Sequence, residues 1–236
     1  MSVIELGSPP LVTPKRKGVV GTAVDFPEAF ANEKILKRAL SALQRGPIRF
    51  HRNNVIACEG DTADYMFLVI SGVVRHCRTF QNGTRNIVAF YLPGDLFGST
   101  DADHHLSVEA AADAMVLFIK RSALFSIATR ECRVANFLLA TTTTELRRAH
   151  EHALLMSRDA RCRVATFLSD FWVRLGKPKC LDFPMSHQDI ADHLGLTIET
   201  LSRTITNLER LGIVLRSPPR NSLLPPNPSL LPRMTN

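Results

Sequence analysis

The stretch from Ser186 to Leu208 constrains this chain more than any other. Ser186 stands three residues before Asp189, the spacing of a capping box, and opens a short helix carrying Ile190, Ala191 and Leu194. Gly195 supplies a turn and Thr197 a second cap. Ile198, Leu201, Ile205 and Leu208 then recur at helical spacing as an expected buried stripe. Two capped helices joined by a tight turn, with the small Ala191 where they cross, read as a helix-turn-helix. A plain helical hairpin has no need of Ala, Gly and both caps at these offsets.

The outer face of the second helix carries Glu199, Ser202, Arg203 and Thr206. Residues three and four apart are neighbours on a helix, so Glu199, Ser202 and Arg203 share one patch at its start. These side chains suit base edges in a major groove. The Arg203 fork matches guanine O6 and N7, Glu199 can accept from cytosine N4, and Ser202 can approach base edges or a thymine methyl. Ser186, His187, Thr197, Thr200 and Thr206 are candidates for backbone phosphates. So are Arg216 and Arg220, in a strand–turn pattern (Ile213–Leu215, then Pro218-Pro219) that reads as a β-wing.

The formal charge of +7 on 236 residues favours an anionic partner, nucleic acid or a membrane surface. No run approaches the ~20 apolar residues that span a bilayer, and Met1 to Asp25 lacks the apolar core of a secretory signal. The five cysteines (58, 77, 132, 162 and 180) form no Cys-x-x-Cys pair and point to a reduced, cytoplasmic setting.

Upstream, residues 1–27 read as a loose arm, and a helix is expected over Glu28 to Gln44. From Pro47 to about Lys120, turn signals at Gly60-Asp61, Ser71-Gly72, Asn82-Gly83 and Pro93-Gly94-Asp95 divide short β-type runs, as in a small barrel or jelly roll. A long helix is then expected from about Ser122 or later through Met156. Along it and just past its end, Cys132, Ala135, Leu139, Thr142, Leu146, Ala149, Ala153, Met156 and Ala160 follow steps of three and four. That 3.5-residue stripe suits the seam of a two-chain helix pair, flanked by Glu145, Arg147, Arg148, Glu151 and Arg158. The seam of a homodimer is accordingly placed on Leu139, Thr142, Leu146, Ala149, Ala153 and Met156. A further helix to Leu175 buries Val164, Phe167, Leu168 and Phe171, and the Pro-rich residues 225–236 read as a flexible tail.

Glu59-Gly60-Asp61, Val69-Ile70-Ser71-Gly72, Pro93-Gly94-Asp95-Leu96-Phe97-Gly98, the long helix and the string Gly195-Leu196-Thr197-Ile198-Glu199-Thr200-Leu201-Ser202-Arg203 together resemble the Crp/Fnr superfamily of bacterial transcription regulators. The Glu-Ser-Arg trio looks like the Fnr-type reader. The resemblance implies an α+β chain: a cyclic-nucleotide-binding-like β-roll (28–121), a dimerisation helix (122–157) and a winged helix-turn-helix (158–224). It also implies a homodimer that binds an inverted repeat of TTGAT-type half-sites and works with RNA polymerase as an activator.

Departures from the family pattern narrow the control. Ser99 follows Phe97-Gly98 where cyclic-nucleotide binders carry Glu. His105-Leu106-Ser107-Val108 stands where their arginine is expected, and Asp101 and Asp103 would repel a phosphate. Residues 1–57 hold no cysteine, so an N-terminal iron–sulfur cluster has no ligands. The chain is then similar to the FixK-like branch, associated with low-oxygen and nitrogen-fixation control, and no cofactor or metal is expected. Asp101, Asp103, His104 and His105 are read as a polar loop, because two adjacent histidines do not easily face one ion. Cys180, adjacent to Lys179 and three residues from Lys177, is the redox candidate, since nearby positive charge favours the oxidisable thiolate. The other four cysteines read as packing residues. The alternative is a regulator gated by haem, metal or another small molecule in the roll. An enzyme is disfavoured, because no nucleophile–base pair or phosphate loop stands out.

Overall fold

The computed structural model describes residues 44–98, 103–178, 181–217 and 222–224. The expected arm, the Pro-rich tail and most of the expected first helix lie outside these residues. Gln44, placed at that helix's end, instead begins a strand.

Among the described residues eight strands form the roll: β1 (Gln44–Phe50), β2 (Val55–Ala57), β3 (Tyr65–Ser71), β4 (Val74–Thr79), β5 (Arg85–Tyr91), β6 (Leu96–Phe97), β7 (Ser107–Ala110) and β8 (Ala114–Lys120). They make two antiparallel four-stranded sheets, ordered β1-β8-β3-β6 and β2-β7-β4-β5. The β3 run Tyr-Met-Phe-Leu-Val-Ile lacks polar alternation because both its faces are covered. Phe67 and Val69 meet Val74, Tyr91 and Phe97 between the sheets, while Met66 and Leu68 pack against helices on the outer side.

The long helix expected from Ser122 or later begins at Cys132, a separate short helix precedes it, and Ala160, the last stripe residue, starts the next helix instead. Helix α1 (Arg121–Ala128) and helix α2 (Cys132–Met156) are separated by Thr129-Arg130-Glu131, where Glu131 adopts extended backbone as the N-cap of α2. Apolar packing explains the break. Leu124 of α1 and Val134 and Leu138 of α2 all reach the same face of the first sheet, which one straight rod cannot bring about.

Helix α3 (Ala160–Arg174) starts at Asp159, whose side chain accepts from the Cys162 amide. Strand β9 (Leu181–Asp182), helix α4 (His187–Leu194), helix α5 (Ile198–Arg210), β10 (Leu215–Ser217) and β11 (Ser222–Leu224) complete the described chain. The last strands form a sheet ordered β10-β11-β9, the expected wing with an extra strand from before α4. The third core joins this unit to the roll: Cys77, Ile87, Phe90 and Leu92 pack with Val164, Phe167, Leu168, Phe171, Ile190 and Leu194.

Candidate nucleic-acid interface

Both caps expected from sequence are formed. Ser186 Oγ accepts from the Asp189 amide at 3.0 Å while Asp189 Oδ2 accepts from the Ser186 amide at 3.2 Å, closing the capping box of α4. Gly195 ends α4 at φ 61°, a left-handed conformation that costs glycine little. Thr197 Oγ1 accepts from the Thr200 amide at 3.2 Å and starts α5. Leu201, Ile205 and Leu208 are buried, each contributing about 2 kcal/mol of apolar burial. Ile198, expected in that stripe, is 39% exposed because the first turn of α5 projects beyond the hydrophobic core.

The opposite face is open. Glu199, Ser202, Arg203 and Thr206 are all exposed. Arg203 Nε is 3.4 Å from the Glu199 carbonyl. The Glu199 carboxyl is held below the usual range by its own backbone amide, then by the Thr197 hydroxyl and the Arg203 charge. It is therefore an ionised acceptor beside a cationic fork, on the leading turns of an exposed helix.

The backbone candidates divide. The Ser186 hydroxyl accepts from the Asp189 amide at the α4 cap. The Thr197 and Thr200 hydroxyl oxygens lie 3.1 Å apart, and Thr206 Oγ1 donates to the Ser202 carbonyl at 3.1 Å. His187 opens α4 and is half-buried. Arg216 lies in β10, in register with Leu223 of β11. Arg220 and Cys180 lie outside the described residues.

Two cysteines read as packing residues are not. Cys77 and Cys162 are buried, but Cys58 and Cys132 are exposed. Partial burial and the charges of Asp61 and Glu109 push the Cys58 thiol up, away from the reactive thiolate. His104 turns inward against Phe67, ring centroids 5.6 Å apart, while His105 is exposed, so the adjacent histidines face apart.

On α2, every stripe position from Leu139 to Ala153 is exposed in the single chain, with Leu139 at 66% and Leu146 at 56%; Met156 is half-buried. The charges expected beside the seam are not all there. Glu145 accepts from the Tyr91 hydroxyl at 3.0 Å and Arg148 reaches Asp95 at 3.0 Å, both tying α2 to its own roll.

Sequence reading missed the contacts that seat the reader on the roll. Arg75, 2% exposed, reaches Asp189 at 2.8 Å and Glu109 at 2.6 Å; Arg85 reaches Asp189 and Asp192. An arginine inside the apolar run Val73-Val74-Arg75-His76-Cys77 was the available signal, but its partner lies 114 residues away.

Models of known families agree with this architecture. A cyclic nucleotide-binding domain matches residues 47–131 and a Crp-like helix-turn-helix domain residues 162–231. The nitrogen fixation regulation protein FixK of Azorhizobium caulinodans is 42% identical over 185 residues, 75% of each chain.

The chain belongs to the Crp/Fnr family of transcription regulators.

Within that family, the FixK protein of Rhizobium meliloti is 40% identical over 165 residues, 68% of this chain and 74% of that one. The structure of FixK2 from Bradyrhizobium japonicum superposes with a TM-score of 0.75 at 38% identity, covering 80% of this chain and 96% of that chain. This Crp/Fnr member is thus a FixK/Fnr-type transcriptional regulator with a helix-turn-helix DNA-binding domain, not an enzyme. Among the described residues no helix is long and apolar enough to cross a membrane.

Proposed function

We propose that the protein activates transcription from the cytoplasm as a homodimer that binds an inverted repeat of TTGAT-type half-sites and needs no cyclic-nucleotide effector. The observation that carries this reading is the exposed trio Glu199, Ser202 and Arg203 on the leading turns of α5, with Leu201, Ile205 and Leu208 fixing the helix behind it. The exposed stripe Leu139, Thr142, Leu146, Ala149 and Ala153, running to Met156, is the dimer seam. It sets two reading helices about one DNA turn apart. Ser186, His187, Thr197, Thr200, Thr206, Arg216 and Arg220 hold phosphates, and RNA polymerase is the protein partner. Independence from a nucleotide is supported by Ser99 standing where cyclic-nucleotide binders carry Glu, and by Asp101 and Asp103, whose charges would repel a phosphate.

The test is a salt titration of the reduced protein with a TTGAT–N4–ATCAA duplex and a scrambled one. Tight binding to the repeat alone, without additions, is expected; equal and salt-sensitive binding to both refutes it. Redox tuning at Cys180 predicts that peroxide lowers affinity in wild type and not in Cys180→Ala; equal loss in both refutes that part.

One observation favours an effector-gated second reading. Among the described residues His76 Nε2 is buried inside the roll without a hydrogen-bond partner, and its imidazole is pushed down to about 4 by burial and by nearby His104. Visible absorbance in the purified protein, or DNA binding only after a small molecule is added, selects that reading.

A further inference from the structure

Asp189 has two duties, and its two oxygens divide them. Oδ2 accepts from the Ser186 amide and completes the capping box of α4. Oδ1 faces the roll and takes Arg75 Nη1 at 2.8 Å together with Arg85 Nη2. The arginines belong to β4 and β5, so the residue that starts the first reader helix is also the anchor of that helix on the other domain.

The surroundings make this a built contact. Arg75 and Asp189 are each only 2% exposed at the side chain, and Glu109 and Asn53 occupy the rest of the Arg75 guanidinium. Arg85 also holds Asp192, one turn along α4, at 2.9 Å, and Gln188 donates to the other Asp192 oxygen at 2.6 Å. At the end of α4, His193 donates from Nδ1 to the Ile87 carbonyl of β5 at 2.9 Å. Buried ion pairs gain little net stability over apolar packing, but they require a defined geometry, because a displaced partner leaves a charge unpaired in a dry seam. Such a contact fixes orientation better than the neighbouring apolar surface, which tolerates sliding.

We propose that Asp189 is a positioning residue for DNA reading: by joining the α4 cap to Arg75 and Arg85 of the roll, it holds each reader at one fixed angle to the dimer helix. The proposal rests on residues 199–203 as the base-reading surface and on α2 as the seam. Its consequence is half-site spacing. One added base pair moves a half-site by about 3.4 Å and turns it by roughly 35°, which a rigid pair of readers cannot follow and a loosened pair can.

The experiment uses the full-length dimer with TTGAT–ATCAA repeats separated by three to six base pairs, and a duplex bearing one half-site. Asp189→Asn keeps an oxygen for the Ser186 amide and removes the charge facing the arginines. Arg75→Gln breaks the same contact from the roll and leaves the α4 cap untouched, and Arg75→Lys retains a charge. Expected in Asp189→Asn and Arg75→Gln are unchanged half-site affinity and helix content, with the preference for the best spacer over its neighbour reduced by roughly tenfold. Arg75→Lys recovers part of that preference. Hydrogen exchange on the DNA-free variants is expected to quicken in α4 and β5 together. Wild-type spacer preference in Arg75→Gln, or unchanged exchange at the α4–β5 seam, overturns the proposal. A loss of preference that merely follows lost half-site affinity overturns it too. If Asp189→Asn does not fold, Arg75→Gln decides by the same readings. A wild-type protein that ignores the repeat refutes the assigned reading surface instead, while the exchange result still reports on the anchor.

Discussion

The imidazole of His193, on the first reader helix, stacks on that of His152, on the long helix, with ring centroids 4.4 Å apart and 22° between their planes. Burial, and then His152 beside it, push His193 down to about 3; burial lowers His152 as well. A neutral histidine pair therefore sits where roll, long helix and reader meet.

Acid should weaken the fold both at this junction and inside the roll, where His76 is buried. Unfolded, these histidines take up protons near pH 6.5; folded, His193 and His76 resist until about pH 3 and 4. The unfolded chain thus binds more protons as pH falls below 6.5, and stability declines throughout that window. At pH 5 each of these two histidines costs at most about 2 kcal/mol. Urea unfolding at pH 7.5 and pH 5 measures the loss, and His193→Gln, which can still donate to Ile87, should show a shallower acid slope.

Arg203→Ala should cost about 1–3 kcal/mol of affinity for the repeat and relax the choice of base at one position of each half-site. The scrambled duplex should lose far less. A uniform loss across sequences would show that Arg203 meets phosphate and not a base edge.

Leu138 and Leu146 sit two turns apart on α2 with opposite fates. Leu146 is 56% exposed in the single chain and Leu138 is buried against the roll. Leu146→Glu should leave monomer folding intact, shift sedimentation toward the monomer and abolish tight binding to the repeat. Leu138→Ala should instead destabilise folding by about 2–5 kcal/mol through the cavity it leaves. A dimeric Leu146→Glu protein would remove this face of α2 from the seam.

Two turn glycines with the same backbone should behave differently. Gly72 and Gly83 both have φ +79°, but a Cβ on Gly72 would lie 2.0 Å from the Asp113 carbonyl oxygen, whereas one on Gly83 meets open space. Gly83→Ala should cost about 1 kcal/mol from conformation alone, and Gly72→Ala several times that. Thermal unfolding separates them; equal losses would mean that the β3–β4 turn relaxes away from Asp113.

The most local features were the most legible. Caps at Ser186 and Thr197, the left-handed Gly195 and the exposed face of α5 depend on interactions within four residues, so spacing alone reveals them. Ile198 was misjudged because its exposure depends on where the core ends. Where the long helix begins stays open in the sequence, between Ser122 and later, because the cause of the α1–α2 break, the shared sheet face under Leu124, Val134 and Leu138, is long-range.

The sequence by itself determined the two-helix reader, the strand-rich character of the region before it and the apolar stripe on α2, each through short-range periodicity and turn chemistry. Only tertiary structure decided which charges serve the reader. Glu145 and Arg148 turned from the expected seam to Tyr91 and Asp95 of the roll, and Arg75 found Asp189 far along the chain. A buried charge must find a counter-charge wherever the fold brings one close, and sequence spacing carries no record of that distance.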